Sequence, residues 1–232
     1  MLADQAVALD AYGDVRDRLT QLLADVDDGT AAVTTVPGCP AWSVTDTVAH
    51  LAGACVDIVE GNLDGVGTAA WADDQVARFS SLGLAQLLQR WGEVGPVVQS
   101  LAPAFPRPAA SQFVFDATLH EQDIRGALGK PGGRNAESVA VSLGFLENAL
   151  DSFVRSNGLP TVALVSPEWS AVAGDGTPSV RVEASRFELL RTFGGRRSTD
   201  QFLALSWSGD PVPYLAMFDN SPLELRDAPL VE

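Results

Sequence analysis

Apolar residues recur at three- and four-residue spacing early in the chain, at Leu9, Tyr12, Leu19, Leu22, Leu23 and Val26, which predicts an amphipathic helix over Leu2 to Val26. A turn-rich segment, Val36-Pro-Gly-Cys-Pro-Ala-Trp42, leads to Ser43, a good helix cap, with Asp46 three residues later as the other half of a capping box. The second predicted helix runs from there to about Leu63. Its core stripe is Val44, Val48, Leu51, Cys55 and Ile58, and His50 lies on an adjoining small and polar strip with Ser43, Asp46, Ala54 and Asp57. A third helix is expected over Leu84 to Leu101, bent near Pro96, and a fourth over Ala109 to Leu128. On the fourth, Phe113, Ala117, His120, Ile124 and Ala127 project to one side, with Asp116 and Asp123 flanking them. Val139, Leu143, Leu146, Leu150 and Phe153 mark a fifth.

The period changes from near four to two around Leu159-Pro160. Thr161 to Val165, Trp169 to Ala173 and Val180 to Val182 read as short antiparallel strands, with an Asp-Gly turn before the last. Helical pieces follow over Arg186 to Phe193 and Ser198 to Leu203, and Tyr214 to Phe218 is expected to return as a strand. The predicted architecture is an up-and-down helical bundle over residues 1–158, followed by a small α+β domain over 159–232.

Composition narrows the partners. With 46% hydrophobic residues in 232, the chain can bury a sizeable core. Fifteen basic against 30 acidic residues give a formal charge of −15, and no basic block occurs, so nucleic acid and anionic membrane are excluded as partners on electrostatic grounds. No apolar run reaches membrane-spanning length, and Met-Leu-Ala-Asp-Gln lacks the features of a signal peptide, so a cytoplasmic protein is expected. Cys39 and Cys55 are too few for a disulfide framework and are read as reduced thiols behaving as small hydrophobes.

The chemistry lies with the histidines, of which the chain has two. Asp116 and His120 are four apart and share a helix face, and His50 would complete a set of two imidazoles and a carboxylate with a position left open for water or substrate. Helical bundles build metal sites this way. Asp46 and His50 form a second pair at the same spacing, so spacing alone leaves open which aspartate ligates and which accepts the outer N–H of an imidazole. Asp123 and Asp57 are further candidates for that outer role.

Three stretches carry a resemblance. They are Val36-Pro-Gly-Cys-Pro-Ala-Trp-Ser-Val44 leading to Val48-Ala-His-Leu51; Asp116-Ala-Thr-Leu-His-Glu-Gln-Asp123 with Ala127-Leu-Gly129; and Phe187-Glu-Leu-Leu-Arg-Thr-Phe-Gly-Gly-Arg-Arg-Ser198 with Leu205-Ser-Trp-Ser-Gly-Asp210. In these the chain resembles the mycothiol-dependent maleylpyruvate isomerase family, whose N-terminal domain is a DinB-like four-helix metal-binding bundle. The resemblance implies a divalent metal, usually zinc, on His50, Asp116 and His120, with Asp46 and Asp123 behind them. Asp116 stands where that family carries glutamate, one methylene longer. It also implies mycothiol, or a similar low-molecular-weight thiol, as cofactor or co-substrate, and an electrophilic small molecule as its partner.

The function expected is thus a metal-dependent isomerase or S-transferase, working as a monomer or weak homodimer. The alternative is a non-catalytic metal- or ligand-binding protein of the same fold. An anionic substrate would call for a cation, for which Arg196 is the first candidate, with Arg197 beside it and Arg125 as a lesser one. Trp42 is expected to pack the start of the second helix.

Overall fold

The computed structural model describes residues 1–219, 221 and 223–232, which form two compact units: Asp4–Gly133 with Glu232, and Met1–Ala3 with Arg134–Val231. In the first, helices α1 (Gln5–Leu23), α3 (Val44–Glu60), α5 (Leu84–Ser100) and α6 (Arg107–Ala127) close a ring in which α3 packs on α5, α5 on α1, α1 on α6 and α6 on α3. Leu9, Val15 and Leu19 of α1, Val48 and Leu51 of α3, Leu87 and Val98 of α5, and Val114 and Ile124 of α6 fill its interior. Across the core, Trp91 donates Nε1–H to Tyr12 Oη at 2.8 Å, and Tyr12 Oη lies 3.0 Å from Cys55 Sγ. The polar ends of these side chains are therefore matched where water cannot reach them. Helix α5 continues through Pro96 to Ser100.

Two α-helices of this unit go beyond the predicted set. A short helix, α2 (Asp28–Val33), follows α1 on an Asp27 cap, and α4 (Ala69–Phe79) lies against α3 on a Thr68 cap. The segment expected as a turn forms an antiparallel hairpin, β1 (Thr35–Val36) and β2 (Cys39–Ser43), turning at Pro37-Gly38. The cap of α3 is as expected: Ser43 Oγ accepts from the Asp46 amide, and Asp46 Oδ2 accepts from the Ser43 amide at 2.9 Å.

In the second unit, α7 (Glu137–Ser156) packs on a four-stranded sheet of order β4 (Trp169–Ala173), β3 (Val162–Ser166), β5 (Val180–Glu183), β6 (Ser206–Ser208). The helix that the sequence assigns to the bundle therefore belongs with the sheet, and the units divide at 133/134 rather than 158/159. The strands are not all antiparallel, because β5 runs parallel to β3, in register Val162↔Val180 to Val165↔Glu183. After the β3–β4 hairpin the chain crosses to the other side of β3, through Gly174 and Gly176 at positive φ. Helices α8 (Arg186–Phe193) and α9 (Thr199–Leu203) precede β6.

The strand expected at Tyr214 to Phe218 is instead a 3₁₀ turn over Val212–Met217. It begins at Pro211 and contains Pro213, and proline has no N–H to offer a strand partner. Tyr214 there is buried and donates its hydroxyl to Pro160 O at 2.6 Å. Between α6 and α7 the connector carries Lys130, exposed and the sequence's one lysine. Among the described residues no helix is long and apolar enough to cross a membrane.

Candidate metal centre

Two helices of the first unit bring the predicted donors together. His50 is buried on α3, His120 is buried on α6, and Asp116 sits one turn before His120. Asp116 Oδ2 lies 3.1 Å from His50 Nε2, and Asp116 Oδ1 lies 3.5 Å from His120 Nε2. The donor atoms of all three fall within 4.8 Å of one another. Asp116 is the accessible member, its side chain 38% exposed against 4% for His50, so a small molecule would approach from its side.

The far nitrogen of each imidazole also has a partner. His50 Nδ1 lies 2.7 Å from Gln75 Oε1, and His120 Nδ1 lies 3.4 Å from Asp123 Oδ2. Asp123 is buried and accepts from Cys39 Sγ at 3.5 Å, and the same sulfur lies 3.8 Å from His120 Nδ1. Cys39, His120 and Asp123 thus form a second group of close donor atoms, turned away from Asp116 and joined to the first through the His120 ring. The β1–β2 hairpin delivers Cys39. Its Gly38 is packed so closely that a Cβ there would stand 2.1 Å from Asp123 Oδ1.

The hairpin also delivers Trp42, whose ring centre lies 5.1 Å from that of His50 and 5.7 Å from that of His120. The tryptophan expected to pack the helix start thus also covers both imidazoles. Trp71 of α4 meets His50 edge-on, at 6.4 Å.

The electrostatics follow from this crowding. Burial pushes the Asp116 carboxyl up, but the charges of His50 and His120 outweigh it and hold the group far below the usual carboxylate range. Burial would likewise push His120 down. Asp116, Cys39 and Asp123 outweigh that and hold its imidazolium well above the ordinary imidazole range.

The remaining candidates lie elsewhere. The Asp46 carboxylate is engaged with Ser43 in the α3 capping box. Asp57 touches neither imidazole but accepts from Gln75 Nε2 at 2.6 Å. Arg125 binds Glu121, which also takes Arg18 through both oxygens, at 2.9 and 2.6 Å. In the second unit, Arg197 is buried and grips Glu188 through Nε and Nη2, at 2.6 and 3.0 Å. Arg196 is half-buried on the loop after α8 and donates Nη1–H to Gly194 O at 3.1 Å. Gln75 is the site residue that no sequence signal marks, because an amide on a short, weakly apolar helix has neither a ligand's chemistry nor a motif.

No protein-family model matches the sequence, and no curated protein matches it. Solved structures do. The crystal structure of the mycothiol-dependent maleylpyruvate isomerase superposes with a TM-score of 0.57 at 14% identity, covering 89% of this chain and 93% of that one. A histidine-to-alanine mutant of the same enzyme gives 0.56 at 15%, with the same coverage. Likeness at this identity is a likeness of backbone. The chain has the fold of the mycothiol-dependent maleylpyruvate isomerase, here a helical bundle followed by a small α+β unit.

Proposed function

We propose that this protein is a divalent-metal-dependent enzyme, with zinc as the expected ion, that uses a low-molecular-weight thiol such as mycothiol on an electrophilic small molecule. The observation that carries the reading is the convergence of His50 Nε2, His120 Nε2 and the Asp116 carboxylate within 4.8 Å. The donor chemistry fits such an ion. Both outer nitrogens already face Gln75 and Asp123, while the inner ones face a carboxylate, an arrangement that asks for a shared cation. The fold shared with a mycothiol-dependent isomerase supports the thiol.

What a bound divalent ion supplies is Lewis acidity, by which a thiol at the open position loses its proton near neutral pH. The chain's own residues do the rest. Asp123 holds the His120 ring, Gln75 holds His50, Trp42 keeps water from both, and Asp116 borders the side from which substrate arrives. Addition of the thiol sulfur to an unsaturated carbon, then bond rotation and elimination, gives cis-trans isomerisation. Retention of the adduct gives S-transfer. Arg196 is proposed to bind an anionic substrate group, so Arg196→Ala would raise KM for an anionic substrate and leave metal content unchanged. The proposed setting is the cytoplasm, with the protein a monomer or weak homodimer.

Elemental analysis of the purified protein beside His50→Ala, Asp116→Ala and His120→Ala tests the centre. Stoichiometric metal in the wild type and its loss from each variant are expected. A wild type that stays metal-free when zinc is supplied overturns the reading. Calorimetric titration of the zinc-loaded protein with mycothiol then tests the thiol, and no binding there would leave a metal-binding protein without this chemistry.

A further inference from the structure

Among the described residues of α4, one side chain is buried, and it is the amide Gln75. A buried primary amide is costly unless its polar atoms are matched. Both ends are: Oε1 lies 2.7 Å from His50 Nδ1, and Nε2 donates to Asp57 Oδ2 at 2.6 Å. Asp57 is buried in turn, and its other oxygen takes Arg78 Nη2 at 2.7 Å and Asn62 Nδ2 at 3.0 Å. Gly53, three residues after His50 on α3, makes the approach possible, since a Cβ there would lie 2.7 Å from Gln75 Cβ.

The direction of each bond is forced from the far end. A guanidinium only donates, and an ionised carboxylate only accepts, so Asp57 requires the amide nitrogen of Gln75. The reverse orientation would set two acceptors 2.6 Å apart with no proton between them. The amide oxygen is thereby turned to His50, and because it only accepts, His50 Nδ1 must carry the proton.

We infer that Arg78, Asp57 and Gln75 form a positioning relay that keeps a proton on His50 Nδ1, so that Nε2, the nitrogen facing Asp116, is the one left for a metal. The relay's purpose rests on the metal-centre reading, because a neutral imidazole offered through one nitrogen is what a metal ligand must be. None of the three is a catalytic residue. Gln75 acts through His50, and Asp57 and Arg78 act through Gln75.

With two histidines in the chain, long-range proton–nitrogen NMR of the ¹⁵N-labelled full-length protein resolves every imidazole nitrogen, His120→Gln serving for assignment. His50 is expected to keep a proton on Nδ1 in the metal-free protein and in the zinc-loaded protein alike. Asp57→Asn keeps the side-chain size but frees the Gln75 amide to turn. It should mix or reverse the His50 tautomer and weaken zinc binding about 10- to 100-fold. Gln75→Leu should act in the same direction and serves if Asp57→Asn does not fold. A wild-type His50 that lacks a proton on Nδ1 overturns the relay, as does an Asp57→Asn protein with the Nδ1 proton and zinc affinity unchanged. A wild type with the Nδ1–H tautomer that takes up no zinc supports the relay and sinks the metal-centre reading instead.

Discussion

Asp116 has one methylene fewer than the glutamate its position resembles, yet its two oxygens already reach both imidazoles, at 3.1 and 3.5 Å. The shorter side chain suffices, since one oxygen meets each ring. Asp116→Asn preserves shape and removes charge, so zinc should bind at least about tenfold more weakly, as read by competition with a chromophoric chelator. Unchanged affinity would show that the carboxylate is not a ligand. The two thiols should behave differently. Burial pushes the Cys55 thiol up to about 12, whereas Cys39 is half-buried on the hairpin. An aromatic disulfide reagent should titrate one thiol in the native protein, and Cys39→Ser should abolish that reaction; a native protein that still reacts after this change would contradict the assignment. At this scale the sequence shows the candidate ligands, because two histidines among 232 residues are conspicuous and Asp116 and Asp123 flank one of them at helical spacing. Gln75, and the contact of Cys39 with Asp123, are products of tertiary approach and leave no local pattern.

The predicted helices of the bundle are found because their apolar stripes are long and regular. Helix α4 escapes the same test because its surface is exposed or half-buried apart from one glutamine, so the hydrophobic period that would announce it is faint. The hairpin escapes for another reason: two short strands around Pro37-Gly38 look like a loop until α3 and α6 receive them. Its role is testable at Gly38, where any side chain meets the Asp123 carboxylate. Gly38→Ala should displace Asp123 from His120 and lower zinc affinity about 10- to 100-fold, a loss of the kind expected when a ligand's outer partner is disturbed. An alanine variant with wild-type affinity would show that the turn is not what holds that carboxylate. Helix α3 offers a control. Ser43→Ala removes a cap and should cost about 1 kcal/mol of stability in chemical denaturation, with stoichiometric zinc retained.

An amphipathic stripe reports that a helix face is buried without reporting against what, which is why α7 reads as a bundle helix and is found on the sheet. The parallel pairing of β5 is hidden likewise, since strand direction is set by a crossover and not by alternation. For the whole molecule the centre also sets a pH dependence. In the metal-free protein the pairing around His120, held well above its ordinary 6.5, stabilises the fold fully below that value and is lost as pH rises through the raised one. The depressed Asp116 contributes above its ordinary 3.8, and that contribution is lost as pH falls through the lowered value. Thermal melts should therefore fall on the alkaline side without zinc and hold steadier with it, because the ion replaces the proton. Zinc affinity itself should drop as the medium is acidified. Melting temperatures that do not change above pH 6.5 in the metal-free protein would contradict this account.

Lys130, alone of its kind, stands on the connector between α6 and α7. Amine-directed reagents thus find one lysine target in these 232 residues. An acylating dye or crosslinker would mark the α6–α7 connector in the unsubstituted sequence, leaving His50, Asp116, His120 and both thiols untouched.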